Sequence, residues 1–296
     1  MKILIFGRDG QVGRALQGDA ARRGEITTLG RAGADFTTPA AIAALVLAER
    51  PAVIINAAAY TAVDKAESEP DLAMAINAEA PARMAEAAAA INALFVHYST
   101  DYVFDGTKPG PYVETDTPAP LSVYGLSKLL GERRVAEAGG RHLIFRTSWV
   151  HAPGGNNFAA KILALAKTRD TLSVIDDQIG APTSADLIAR VTWAAVARHE
   201  DDRPLESGVY HLTASGETSW HGYAEKVLAL ARLSGAKLQC RSIEPVPSSR
   251  FETAAKRPKN SRLATGKMVS ALGIALPHWS VDVSATVESA LRGLAA

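Results

Sequence analysis

Four apolar residues, Ile3-Leu4-Ile5-Phe6, run straight into Gly7-Arg8-Asp9-Gly10-Gln11-Val12-Gly13, after which helical spacing begins. A buried strand, a loop with G-x-x-G-x-x-G spacing and a helix, in that order, form the context a dinucleotide fingerprint requires. The glycines let the chain turn tightly and bring its backbone up to a pyrophosphate, whose charge lies at the positive end of the following helix. Gly7, Gly10, Gln11, Val12 and Gly13 are accordingly candidate cofactor-binding residues. The rival reading is a plain strand-to-helix turn, which leaves the shared order of strand, loop and helix unexplained.

The alternation continues along the first half. Residues 26–29, 53–56, 94–99 and 143–147 read as further strands, and residues 12–23, 39–49, 70–91 and 122–138 as helices between them. This order predicts an α/β fold, a Rossmann-like doubly wound parallel sheet with helices on both faces. Past Trp149 the pattern loosens. Helices are expected over 157–167, 184–198 and 219–233, and strands over 172–174 and 208–212. Residues 245–280, punctuated by Pro245, Pro247, Pro258 and Pro277, are expected to wrap the surface before a last short helix. The expected division is an NAD(P)-binding core over 1–149 and a smaller C-terminal, mainly substrate-binding lobe over 150–296, with some elements returning to the core.

Composition narrows the function classes. The 296 residues are 47% apolar and 21% charged, as in a soluble protein with a large core. Lys and Arg number 32 against 31 Asp and Glu, so no global field draws in nucleic acid or an anionic membrane surface. Cys240 is the only cysteine, which excludes an internal disulfide framework or a cysteine-rich metal site and points to a reducing, cytoplasmic setting. No apolar run reaches the ~20 residues of a membrane span. The charged-then-apolar start is cut by Gly7, well short of a signal sequence.

The end of the second strand separates the two nicotinamide cofactors, because an acidic residue there binds the ribose 2′-hydroxyl and repels a 2′-phosphate. This chain has Gly30-Arg31. Arg31, with Arg8 as a second cation, favours NADPH, with NADH left as a second acceptable cofactor; a surface arginine is the rival reading for each. Asp35 and Phe36 are placed to flank the adenine, and Ala57, Ala58 and Ala59 supply small side chains where the third strand would pass the cofactor.

Tyr124-Gly125-Leu126-Ser127-Lys128 places an ammonium one helical turn from a phenol. Neither group, with solution pKa values of ~10 and ~10.4, forms a tuned acid–base site alone. A neighbouring cation stabilises phenolate and lowers the tyrosine's pKa, which predicts Tyr124 as general acid toward a carbonyl receiving hydride. Lys128 is then expected to hold the nicotinamide ribose as well, and Thr100, at the end of the fourth strand, to hydrogen-bond the developing alkoxide. Thr100, Tyr124 and Lys128 are thus the catalytic candidates, against readings as a strand-end cap, an amphipathic surface residue and a solvated charge.

These segments resemble the extended short-chain dehydrogenase/reductase superfamily, whose glycine spacing this is, and within it the dTDP-4-dehydrorhamnose reductases. The resemblance rests on the glycine loop, Asn56-Ala57-Ala58-Ala59-Tyr60-Thr61-Ala62-Val63-Asp64, Tyr98-Ser99-Thr100-Asp101-Tyr102-Val103-Phe104, Tyr124 to Lys128, Phe145-Arg146-Thr147-Ser148-Trp149, Gly155-Asn156-Asn157-Phe158, Asp177-Gln178-Ile179-Gly180 and Arg257-Pro258-Lys259-Asn260. It covers nearly the whole chain. It implies NADPH-dependent reduction of the C4 ketone of dTDP-4-dehydro-L-rhamnose to dTDP-L-rhamnose for surface polysaccharide. It also implies a cofactor contact at Tyr98 and sugar-binding roles for Thr100, Asp101, Tyr124 and Trp149. The basic residues Arg250, Lys256, Arg257, Lys259 and Arg262 are expected either to neutralise the substrate pyrophosphate or to form a solvated loop.

One departure limits the transfer. Some members of that family are dimers bridged by magnesium through carboxylates, including a glutamate two positions past the third glycine; here Ala15 stands at that position. No metal site is therefore expected, while a homodimer of another kind stays open. Two alternatives also stand: a nucleotide-sugar epimerase or dehydratase that retains its NAD, and a non-catalytic regulatory subunit built on the same fold.

Overall fold

The computed structural model describes residues 1–18, 24–154, 157–201 and 203–294. Residues 19–23 of the expected first helix and Gly155-Asn156 of the family-like motif lie outside the described residues. In chain order the first half comprises β1 (Lys2–Phe6), α1 (Gln11–Gly18), β2 (Glu25–Leu29), α2 (Pro39–Glu49), β3 (Val53–Asn56), α3 (Val63–Ala66), α4 (Pro70–Met74), a π-helical turn (Ala75–Glu79), α5 (Ala80–Ala90), β4 (Leu94–Thr100), α6 (Val123–Glu137) and β5 (His142–Thr147). The second half comprises β6 (Val150–His151), α7 (Phe158–Ala166), β7 (Thr171–Ile175), β8 (Ile179–Gly180), β9 (Thr183–Ser184), α8 (Ala185–Glu200), β10 (Gly208–His211), β11 (Thr218–Ser219), α9 (Trp220–Leu233), β12 (Ser242–Val246), α10 (Gly266–Leu272) and α11 (Val283–Gly293).

Six strands form one parallel sheet in the order β10-β5-β4-β3-β1-β2. The apolar runs account for it. Every residue of β3 and β4 is buried, because strands covered by helices on both faces need no polar side. Successive side chains divide between the faces. Ile3, Ile5, Val53, Ile55 and Val96 join a cluster with α7, α8 and α9, whereas Leu4, Phe6, Ile54, Phe95 and Ile144 pack with α2 and α5. Each such side chain is worth about 1.5–3 kcal/mol when fully buried. The strand order reverses between β1 and β3, and the crevice at the carboxyl ends of strands flanking such a switch is where open α/β sheets hold ligands.

The second half returns to this sheet: β10 pairs with β5, and the fully buried Trp193 of α8 donates from its indole to the Leu16 carbonyl of α1 at 3.3 Å. Short two-stranded ribbons, β6 with β9, β8 with β11 and β7 with β12, complete it. The 245–280 segment is more ordered than its prolines suggest. It contains the end of β12 and the seven-residue α10, which stops at Gly273 in the left-handed region at φ 67°. A two-residue strand or a two-turn helix is too short to display periodicity.

Two features fix α6, the helix that carries Tyr124 and Lys128. A Cβ on Gly131 would run into the Asn77 carbonyl, so the glycine lets α6 lie directly on the π-helical turn. There the Asn77 amide accepts from Tyr60 N at 2.8 Å and donates to Tyr60 O and Ser127 Oγ, both at 3.0 Å, joining the loop after β3 to α6. Deeper in, Glu132 of α6 and Arg146 of β5 form a two-pronged buried ion pair at 2.8 and 2.6 Å, with the guanidinium 5.0 Å from the Phe104 ring. Removing one partner strands the other charge in the interior. Glu132→Ala is expected to lower unfolding free energy by about 3–5 kcal/mol in urea titration, far more than exposed Glu86→Ala, which should cost under about 1 kcal/mol.

Candidate active site

Gly7 ends β1 with φ +85°, where any other residue is strained, and its N–H is bonded to Leu29 O at 2.9 Å. A Cβ there would lie 2.5 Å from the Ala57 carbonyl carbon, and one on Gly13 would strike the Gly7 carbonyl. The first and third glycines thus press the loop against β3 and α1 against the loop. Gly10 closes the turn through its N–H to Gly7 O at 3.0 Å. Val12 turns inward to the core. Gln11 reaches across to donate to Val150 O at 3.3 Å, leaving its buried Oε1 without a hydrogen-bond partner among the described residues.

Beside this loop lies a cleft of about 390 Å³, walled by Gly7, Gly10, Gly30, Arg31, Asp35, Phe36 and the run from Ala57 to Ala59. Its residues fit a dinucleotide's adenosine end: glycine and alanine walls, and exposed Arg31 at the mouth. Arg8 is turned to Asp9 at 3.3 Å. Asp35 accepts from the N–H and hydroxyl of Thr37 at 2.9 and 2.8 Å, which hold its carboxyl below the usual range. Phe36 packs edge-on against Phe6, 5.8 Å between ring centres, so its ring also belongs to the core beneath the cleft.

At the carboxyl end of β4 the structure brings Thr100, Asp101 and Tyr124 together, while Lys128, one turn further along α6, reaches the main chain of β4. Ser122 caps α6 by accepting from Gly125 N at 3.2 Å, and a Cβ on Gly125 would strike the Tyr102 carbonyl, so the helix starts hard against the strand end. Thr100 donates to Asp101 Oδ1 at 3.0 Å and accepts from Tyr102 N at 3.2 Å. Burial pushes the partly buried Tyr124 phenol up to about 12, opposed by its hydrogen bond with Thr100 and reinforced by the Asp101 charge. This differs from the lowered value expected of a phenol beside an ammonium. The reason is where Lys128 points: its Nζ donates to Tyr98 O at 2.6 Å and lies 3.3 Å from His97 Nε2. Burial pulls Lys128 down to about 8, with Glu132 acting the other way. Tyr98 itself faces the core, its hydroxyl 2.8 Å from Thr192 Oγ1, so it meets the site through its main-chain oxygen.

Trp149, just past β5, has φ 47°, a conformation costing a non-glycine residue about 1–3 kcal/mol. One face of its indole is stacked on Trp220 at 3.6 Å, and Gly180 lies so close to its six-membered ring that a Cβ would sit at 2.7 Å. Trp220 was not among the residues singled out from sequence; its only signal is a tryptophan directly after the helix-capping Ser219. His97, Tyr102 and Ser261 were likewise missed. Tyr102 lies edge-on to Tyr124 at 5.8 Å. Of the basic loop, Arg257 is paired with Asp64 at 2.6 Å, Lys259 with Asp177 at 3.0 Å and Arg262 with Glu217 at 3.3 Å. Those three are bound within the protein rather than presented as bare cations.

Asp101 is buried, and desolvation raises its carboxyl to about 6 despite the Ser261 and Thr100 hydroxyls. Because the folded value lies above the unfolded 3.8, the neutral form favours folding below pH 3.8 and this advantage is lost as pH rises through about 6. Asp101→Asn should therefore stabilise the fold by up to about 3 kcal/mol at pH 8 and much less at pH 4, as read by denaturant unfolding at the two pH values.

Comparison with known proteins agrees with this architecture. The profile of the family described as RmlD substrate binding domain matches residues 1–292. The dTDP-4-dehydrorhamnose reductase of Shigella flexneri is 48% identical over 287 residues, covering 96% of each chain. The crystal structure of such a reductase from Clostridium acetobutylicum superposes with a TM-score of 0.87 at 36% identity, over 97% of this chain and 99% of that one. Its counterpart from Bacillus anthracis, solved in complex with NADP, gives 0.85 at 34% identity over 99% and 98%. The chain thus belongs to the RmlD substrate-binding-domain family, the family of the dTDP-4-dehydrorhamnose reductases.

Proposed function

We propose that this protein reduces the C4 ketone of dTDP-4-dehydro-L-rhamnose to dTDP-L-rhamnose with NADPH, in the cytoplasm, for surface polysaccharide. The observation that carries the reading is the hydrogen bond between Tyr124 and Thr100 at the carboxyl end of β4, with Lys128 of the same helix held on the Tyr98 carbonyl, and a glycine cradle at the ends of β1 and β3 with no room for a side chain at Gly7 or Gly13. NADPH supplies the hydride when bound. Gly7, Gly10, Gln11 and Gly13 receive its pyrophosphate at the start of α1, with Val12 seating that helix on the core. Ala57, Ala58, Ala59 and the Tyr98 strand end line its path, Asp35 and Phe36 its adenine, and Arg31 its 2′-phosphate.

Tyr124 is the general acid. Reduction calls for a neutral phenol, and burial keeps Tyr124 in that form through the neutral range. As the carbonyl oxygen gains charge, Tyr124 transfers its proton to it, and Thr100 turns its single O–H from Asp101 to that developing alkoxide. Thr100, Asp101 and Trp149 hold the sugar. The second half of the chain, apart from β10 and α8, forms the substrate lobe. Identity of 48% to a reductase supports this reading over an epimerase or a regulatory subunit.

The deciding assay is loss of NADPH absorbance with enzymatically generated dTDP-4-dehydro-L-rhamnose, with NADH in parallel. Tyr124→Phe should lower kcat by about 10²–10⁴-fold with the NADPH dissociation constant little changed; near-wild-type turnover would reject Tyr124 as the acid. Arg31→Ala should raise KM for NADPH by about tenfold, the loss of one charge-assisted hydrogen bond, and leave KM for NADH where it was.

A further inference from the structure

Behind Lys128 lies a chain of buried polar groups that the reduction as described does not use. Asn56 ends β3, His97 lies on β4 and Lys128 on α6, and all three are almost wholly buried. Ala58 N donates to Asn56 Oδ1 at 3.1 Å. Asn56 Nδ2 lies 3.1 Å from His97 Nδ1, and His97 Nε2 lies 3.3 Å from Lys128 Nζ.

The first link sets the direction of all the others. A backbone N–H can only donate, so the Asn56 oxygen must face Ala58 and the Asn56 amide nitrogen must face the imidazole. An amide NH₂ can only donate as well, so His97 Nδ1 must be the bare, accepting nitrogen. A neutral imidazole then carries its hydrogen on Nε2, aimed at Lys128. An N–H needs a lone pair to meet, and an amine has one where an ammonium has none. Lys128 meanwhile donates to Tyr98 O at 2.6 Å, which either form can do.

We infer that His97 is a positioning residue for Lys128, locked by Asn56 in the tautomer whose ring N–H faces Nζ, and that this contact favours the amine over the ammonium form of Lys128. The inference rests on the reductase reading only in its kinetic test. The groups that act on the pair are few. Glu132, one turn further along α6, favours the ammonium but is engaged by Arg146 of β5. Lys128 is the charge that acts on His97, and desolvation keeps both groups toward their neutral forms. Tyr124 on α6 and Asp101 after β4 are the other titrating groups of the site. Lys128 then gives up its proton at a lower pH than a solvated lysine does, so the His97 contact sets the pH above which the site loses that cation.

Nitrogen-15 NMR of the full-length protein with ring-labelled histidine, with His97 assigned through the backbone, reads the tautomer directly. A neutral ring protonated on Nε2 is expected. Protonation on Nδ1, or on both nitrogens at neutral pH, would overturn the inference whatever the protein catalyses. The second measurement is the pH profile of kcat/KM in wild type and His97→Gln, whose side chain can turn its oxygen to Nζ and accept from the ammonium. The alkaline limb should move up by about one pH unit, a tenfold change in proton affinity, with thermal unfolding measured alongside. An unmoved limb in a folded variant would overturn the coupling to Lys128. Absence of wild-type turnover would instead reject the reductase reading and leave the tautomer as the test.

Discussion

The backbone at Gly7 comes closer to the backbone at Ala57 than any side chain at position 7 would permit. That approach joins the end of β1 to the end of β3, the two strands between which the sheet order reverses. With it in place, the cleft between them is walled by main chain and by alanine methyl groups, and α1 begins directly beneath it. A larger residue at position 7 or 13 would separate loop, strand and helix, and the cleft would lose its floor. The family's cofactor chemistry thus depends first on an absence of side chains and only then on the ones that react.

The strands of the sheet are legible in the sequence to within a residue or so at each end; β1, β3, β4 and β5 appear as apolar runs because they are buried on both faces, while the edge strand β2, with no buried residue, is marked by position in the alternation. Leu94–Thr100 differs from the expected strand only by including Thr100. The catalytic candidates were legible for a related reason: Tyr124 and Lys128 are linked by helical spacing, and Thr100 by position at a strand end. What stayed hidden depends on contacts distant in sequence. Trp220 meets Trp149 from 71 positions away, and Asp64 meets Arg257 across 193. The direction of Lys128 was hidden too, since spacing places it near Tyr124 but does not reveal the carbonyl of Tyr98 and the imidazole of His97 that draw it back. No pattern in a single sequence announces that a basic loop has its charges already matched.

The site is organised around a partly buried phenol, Tyr124, and a buried amine, Lys128, that desolvation moves in the same chemical sense, toward neutrality: a phenol raised and an ammonium lowered. Both groups lie on α6, which Gly125 and Gly131 let pack closely on the Tyr102 carbonyl just past β4 and on the π-helical turn. Glycine inside a helix costs about 1 kcal/mol relative to alanine. Here that cost accompanies contacts that no alanine could make, one to the Tyr102 carbonyl and one to Asn77. Local propensity and site geometry pull against each other at these two positions, as expected where a fold serves chemistry rather than stability alone.

The π-helical turn between α4 and α5 has a consequence for how this helix tolerates change in length. A π turn holds one more residue than the α-helical turn it replaces, and Asn77 sits within it, bonded to the loop after β3 and to α6. In an ordinary surface helix, losing one residue rotates everything beyond it by about 100°. Here a single deletion inside Ala75–Glu79 could be absorbed by restoring α-helical winding, leaving α5 in register with its neighbours while withdrawing the Asn77 amide from both of its partners. Helix length at this turn therefore carries information that composition does not: the surplus residue is what lets one side chain hold the loop after β3 and the helix of Tyr124 together.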